Sequence, residues 1–174
     1  RRLHPRLREG IPGTMVRNEG SGWEFALIDL EHVRGGASER RHVVHYDDAG
    51  EPDGLASYRF KEDYASWEPA SEVRVREVWA ADPVVYASLW RYLLDLDLAR
   101  HLKHDNAAPD EPLRLMVTDH RAVRQELEDA LYVRVVDVAA ALRARAYAAP
   151  VDVVLEVDDP LLEANTGRWR LTSK

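Results

Sequence analysis

Glu72-Val73-Arg74-Val75-Arg76-Glu77-Val78 alternates apolar and charged side chains. Successive side chains of a strand point to opposite faces. The stretch therefore predicts a strand that packs one face on helices and turns the other to water. Just after it, Asp82-Pro83 reads as a helix start. The Asp carboxylate accepts from free backbone N–H groups, and Pro at the first helical position has no N–H to lose. Val85, Tyr86, Leu89, Trp90, Leu93 and Leu96 form the apolar stripe of that helix. Upstream, His42–Tyr46 and Leu55–Phe60 read as strands paired across a hairpin loop over 47–54. Three strands leading into a helix predict an α+β fold, a mixed sheet with flanking helices.

Further out, residues 1–9 read as a helix and Gly10-Ile11-Pro12-Gly13 as a turn. Ser21 and Glu24 have capping-box spacing. Trp23, Ala26, Leu27, Leu30 and Val33 follow at helical spacing, with Gly35-Gly36 as the stop. Downstream, 97–109 is a strand or loop, and a short helix starts at Asp110-Glu111-Pro112-Leu113 and reaches about Val117. Residues 119–129 fit helix and strand equally. Leu131–Val136 reads as a strand, Asp137 as the cap of a helix through Tyr147, and Val151–Val157 as a strand. Leu161–Gly167 turns, and Arg168–Thr172 pairs back. The expected organisation is a mixed-sheet domain over 1–118, a linker over 119–130 and a second strand-helix-strand-strand unit over 131–174. Both ends read as cut, since residue 1 is Arg and the chain closes on a strand that still needs neighbours.

The 174 residues are 45% hydrophobic and 32% charged, the balance of a water-soluble globular chain. Net charge is −7, from 31 acidic against 24 basic residues. That argues against a general nucleic-acid role, which needs a basic surface. Arg1, Arg2, Arg6 and Arg8 cluster at the start, but a solvated helix face explains them. Cysteine is absent, so disulfides, thiolate nucleophiles and Cys-based zinc sites are excluded. No apolar run approaches the ~20 residues of a membrane-spanning helix. A cytosolic location is the expectation.

Familiar catalytic motifs are missing: no G-x-S-x-G, P-loop, G-x-G-x-x-G or H-E-x-x-H occurs. His101, His104 and Asp105 lack a third ligand at motif spacing, and His42 and His45 fall on opposite faces of a strand. These histidines are read as ordinary loop and strand residues, with no metal site. The acidic pairs Asp95/Asp97, Asp110/Glu111 and Asp158/Asp159 read as caps and turns rather than paired catalytic carboxylates. Four of the five tryptophans, Trp67, Trp79, Trp90 and Trp169, are expected in the core. Trp23, beside a helix start, is the one placed to line a groove.

An ordered set of fragments resembles the enhanced intracellular survival (Eis) family of N-acetyltransferases. It runs from Pro12-Gly13-Thr14-Met15-Val16-Arg17 with Trp23, through Gly54–Phe60, Val75-Arg76-Glu77-Val78 with Ala81-Asp82-Pro83, and Ser88–Asp97. It continues through Asp110-Glu111-Pro112-Leu113, Leu131–Val138 with Ala141–Tyr147, and Val154-Leu155-Glu156-Val157. The resemblance covers essentially the whole chain. It implies a degenerate GNAT-like middle domain followed by a partial sterol-carrier-protein-like α/β domain. It also implies that an N-terminal GNAT domain and the rest of the C-terminal domain lie outside this chain. The family acetylates amines, including aminoglycosides, with acetyl-CoA and assembles as hexamers. Nothing here fits its Arg/Gln-x-x-Gly-x-Gly/Ala cofactor loop; the nearest stretch, Arg8–Gly13, has a misplaced glycine and Pro12 lacks a donor N–H. Acetyl-CoA is therefore expected in a parent protein and not on this chain alone, and no catalytic residue is assigned here. By motif position, Trp23, Asp29 and Asp137 are implied contributors to the amine pocket; a helix-cap role for Asp137 and a core role for Trp23 remain open beside it. The alternatives are a non-catalytic lipid- or sterol-carrier-like binding module and a structural interaction module.

Overall fold

The computed structural model describes residues 3–9, 11, 13–63, 70–129 and 131–174. Arg1, Arg2, Gly10, Pro12 and Trp67 lie outside the described residues. The chain divides into two compact units, Arg1–Gln125 and Glu126–Lys174.

The first unit is built on a four-stranded sheet in the order β1 (Arg41–Tyr46), β2 (Pro52–Lys61), β3 (Ser71–Ala80), β4 (Ala99–His104). The first three are antiparallel neighbours, and β4 runs parallel to β3. A parallel pair needs a crossover connection, and α3 (Pro83–Leu94) supplies it. Asp82 caps α3 as the sequence predicts, its carboxylate accepting from Val84 N at 2.7 Å and Val85 N at 2.9 Å. The buried side chains of α3, Val85, Leu89, Trp90 and Leu93, close over Ala56, Tyr58, Val73 and Val75. Each large apolar side chain buried there contributes roughly 1.5–3 kcal/mol. Gly54 permits the close approach: a Cβ at this position would stand 2.5 Å from Val85 Cγ1 and 3.1 Å from Leu89 Cδ1.

Several local expectations are corrected. The hairpin loop is shorter than 47–54, because β2 already begins at Pro52. Ser21 and Glu24 form no capping box. The N-cap of α2 (Ser21–Leu27) is Gly20, with no side-chain cap. Helix α2 also stops at Leu27 instead of reaching Val33. The Arg40 guanidinium binds the carbonyls of Ala26 and Ile28, and the Asp29 carboxylate binds the Arg40 N–H at 2.8 Å. Long-range polar partners thus replace the next helical turn. Only a 3-10 turn, Glu31–Val33, follows. The charged face of β3 does not simply meet water: α1 (Leu3–Arg8) lies against β2 and β3, leaving the Glu77 side chain 15% exposed. The undecided stretch 97–109 contains β4, and α4 (Leu113–Met116) is the short helix expected after Pro112.

The second unit is a hairpin of β5 (Val151–Val157) and β6 (Gly167–Ser173) with α5 (Val138–Arg143). Asp137 caps α5, accepting from Ala140 N at 2.8 Å, but α5 ends at Arg143 rather than Tyr147. The strand expected over 131–136 is irregular chain. Its β-rich side chains are exposed, Tyr132 and Val133 among them. β-propensity expresses itself only where a partner strand supplies the ladder, and among the described residues none pairs with this segment.

Candidate functional site

The polar face of the first sheet holds a connected group of titratable and aromatic side chains. A β-bulge makes it. Ser57 pairs with Glu77, but Tyr58 pairs with Val75, so Arg76 is the extra residue on β3. The bulge switches the parity of β3. Val73 and Val75 face the core before it, and Val78 and Ala80 pack on the core after it. Arg74, Glu77 and Trp79 consequently share the polar face with Ser57 and Arg59, although 74 and 77 are three residues apart.

Glu77 is the hub. It accepts from the Arg17 guanidinium, from Trp79 Nε1 at 2.8 Å and from Ser57 Oγ at 3.4 Å. Ser57 is fully buried, and its Oγ lies 2.8 Å from His42 Nδ1. Since Ser57 donates to the carboxylate, the consistent tautomer of His42 carries its proton on Nδ1 and donates it to Ser57. Burial alone would push the Glu77 carboxyl up, yet the hydrogen bonds from Arg17 and Trp79 outweigh it and hold the group below its usual range. His4 of α1 is buried with its ring edge-on to Trp79 at 4.8 Å and to Trp23 at 5.5 Å. The Arg17 guanidinium carbon lies 5.3 Å from the Trp23 ring centroid. Burial, then the Arg17 charge, lower the His4 pKa below 6.5, and burial, then Arg40, do the same for His42. Both rings are thereby favoured neutral.

A second group surrounds Asp29. Its Oδ1 accepts from Arg34 Nε at 3.3 Å and from the Arg59 guanidinium, and its Oδ2 accepts from the Arg40 N–H. That backbone hydrogen bond, followed by the charges of Arg59 and Arg34, outweighs burial and lowers the Asp29 pKa. Arg40 Nε and Arg59 Nη1 are buried without a hydrogen-bond partner among the described residues.

Of the residues implied by the resemblance, Trp23 is buried within the Glu77 group, and Asp29 is engaged by three arginines of the same unit. Asp137 is the exposed cap of α5 in the second unit. A cleft of ≈ 510 Å³ lies within that unit, lined among others by Val135, Leu142, Leu155 and Val157. Asp159 there is held near a pKa of about 2, chiefly by its hydrogen bond from Asn165. The other acidic pairs serve locally: Asp95 pairs with Arg91, and Glu111 accepts from the Tyr86 hydroxyl. His101 is exposed on β4, while His104 packs its ring 5.5 Å from Trp90. Among the described residues no group of three or more His, Asp or Glu side chains could hold a metal ion, and no helix is long and apolar enough to cross a membrane.

The sequence does not single out His4, Arg17 or Glu77 as one group. One trace of it was readable: Arg76-Glu77 are two consecutive charges inside an alternating strand, the footprint of a bulge.

An acetyl-CoA pyrophosphate needs free backbone N–H groups at a helix N-terminus. At α3 the Asp82 carboxylate occupies two of those donors and repels a second anion. The residues present there do not fit the cofactor.

A family profile described as "Acetyltransferase (GNAT) domain" matches residues 13–135, and one described as "Sterol carrier protein domain" matches 138–174. An uncharacterized N-acetyltransferase of Streptomyces avermitilis is 43% identical over 171 residues, covering 98% of this chain and 41% of that protein. The N-acetyltransferase Eis of Mycobacterium tuberculosis is 33% identical over 177 residues, again 98% of this chain and 41% of that protein. The crystal structure of Eis1 from Mycobacterium abscessus superposes with a TM-score of 0.61 at 39% identity, covering 71% of this chain and 32% of that one. The chain spans about two fifths of the length of the curated relatives it matches, 41% in each case above.

Proposed function

Because the chain belongs to the acetyltransferase (GNAT) domain family and carries a sterol carrier protein domain match behind it, we propose that it serves an Eis-like, acetyl-CoA-dependent amine N-acetyltransferase by shaping the amine pocket and oligomer surfaces, not by holding acetyl-CoA. The observation that carries the accessory role is the N-terminus of α3, where Asp82 fills the donors a pyrophosphate would use. Acetyl-CoA then belongs to another GNAT domain of the same protein, and the substrates are cationic amines of the aminoglycoside type. In this reading Trp23 supplies an aromatic wall, and Asp137 offers an exposed carboxylate to an ammonium group. Asp29, committed to the guanidinium groups of Arg34 and Arg59 and to the Arg40 backbone N–H, acts through the arginines it positions. The functional assembly is a homo-oligomer in the cytoplasm.

The test has two parts. Titrating this chain with acetyl-CoA should give no heat of binding; micromolar binding would make it a cofactor-holding domain and overturn the accessory role. In the full-length protein, Trp23→Ala and Asp137→Ala should raise KM for an aminoglycoside several-fold with kcat little changed. Unchanged KM in both variants would remove them from the pocket.

A second reading rests on the apolar cleft of the second unit. There the chain would hold an apolar ligand in the manner of a carrier domain. Saturable binding of a fluorescent fatty acid supports it, and a linear signal removes it.

A further inference from the structure

We propose that Glu77, Trp79, Trp23 and His4 form a cation site of the alkylguanidinium or alkylammonium class, in which Arg17 sits as an internal, displaceable ligand. This inference rests on the amine-acceptor reading above and adds to it an anionic anchor, Glu77, and a means of control.

Four observations carry it. A guanidinium is already in place, bound to Glu77 and 5.3 Å from the Trp23 ring centroid, so the walls accept a cation of that shape. The anchor is held independently of Arg17. Ser57 Oγ and Trp79 Nε1, both on strands, still donate to Glu77 when the arginine leaves, so the carboxylate remains oriented for the next cation. The walls are fixed, because His4 packs edge-on against both tryptophans and is buried. Arg17, by contrast, comes from a segment of no regular structure over 13–19, with Gly13 and Gly20 at φ 81° and 82° at its ends. Met15 and Val16 beside it are exposed, at 73% and 67%. A short irregular segment with exposed apolar residues opens more readily than the sheet it lies on. A ligand cation that offers Glu77 the same charge and Trp23 the same face can exchange with Arg17 at small net cost.

The experiment uses methylguanidinium as the probe, methylurea as its neutral shape control, and no acetyl-CoA. Arg17→Ala should bind methylguanidinium saturably, at least tenfold more tightly than the Arg17→Ala/Glu77→Gln pair does, and should ignore methylurea. Equal binding by the two variants overturns the site. Because Arg17→Ala also removes an ion pair that supports folding, the unaltered protein provides an independent measurement. Adding spermidine should speed hydrogen exchange of the amides over 13–19 several-fold as Arg17 is released. Exchange that stays constant at saturating spermidine overturns the displacement. Acetyl transfer is read separately. A chain that binds methylguanidinium in Arg17→Ala but supports no acetylation in the full-length protein refutes the acetyltransferase role and leaves the cation site standing.

Discussion

The indole N–H of Trp79 reaches back 2.8 Å to the carboxylate of Glu77, two residues earlier on the same face of β3. The contact exists because both side chains follow the Arg76 bulge and so share one parity. Hydrogen bonds to a charged acceptor are stronger than neutral ones, about 1.5–3 kcal/mol when buried. With Glu77 still slightly exposed, Trp79→Phe should lower the unfolding free energy by about 1–2 kcal/mol. It should also raise the Glu77 pKa. Urea denaturation checks the first and NMR titration of the Glu77 carboxyl the second.

Stability should fall with acid in two steps. His4 and His42 titrate below 6.5 because of burial. A histidine that takes up its proton less readily when folded contributes stability that is complete above the unfolded value. That stability is lost as pH falls through the folded value. Asp29 and Glu77 are depressed below 3.8 and 4.5. Their contribution is present above those values and lost as pH falls through the lower, folded ones. The first loss should begin below about pH 6.5 and the second below about pH 4.5. His4→Gln should flatten the first step; a melting profile from about pH 7 to pH 5 identical to the unaltered protein's would count against it.

Asp29 is the shared counter-ion of Arg34 and Arg59 and also accepts the Arg40 backbone N–H. Removing one partner of a partly buried ion cluster strands the others. Asp29→Ala should cost about 2–3 kcal/mol and loosen the segment between α2 and β1. Equilibrium unfolding reads the energy, and proteolysis within 28–40 reads the loosening.

Gly54→Ala should destabilise by about 1–3 kcal/mol through overpacking. The added methyl would meet Val85, Leu89 and His45 Cβ at 2.5, 3.1 and 3.2 Å. Pairing Gly54→Ala with Val85→Ala should recover part of the loss, and a fully additive pair would show that the clash lies elsewhere.

Helix caps separate real signals from apparent ones. Asp82→Ala and Asp137→Ala should each cost about 1 kcal/mol, since both side chains bind backbone N–H groups. Ser21→Ala should change stability by less than about 0.5 kcal/mol, because Gly20 holds the N-cap position and Ser21 makes no cap bond. Thermal melts of the three variants side by side decide the matter.

Where structure is set by neighbours in the chain, the sequence alone determined it. β1 and β2 follow from their strand-like runs, β3 from its period-two alternation, α3 from Asp82-Pro83 and its apolar stripe, and the β5–β6 hairpin from its β-rich runs, all interactions within a few residues. Contacts distant in sequence decided the rest. Asp29 and Arg40 end α2 at Leu27 where helical spacing ran on to Val33. Leu131–Val136 has strand composition but no ladder among the described residues. Arg76 bulges from β3 and turns Glu77 to the polar face, where Arg17, sixty residues earlier, binds it. Sequence pattern sets which face a side chain takes only while the register is unbroken. A one-residue bulge reverses every assignment beyond it, and that reversal depends on how three strands and a helix pack together.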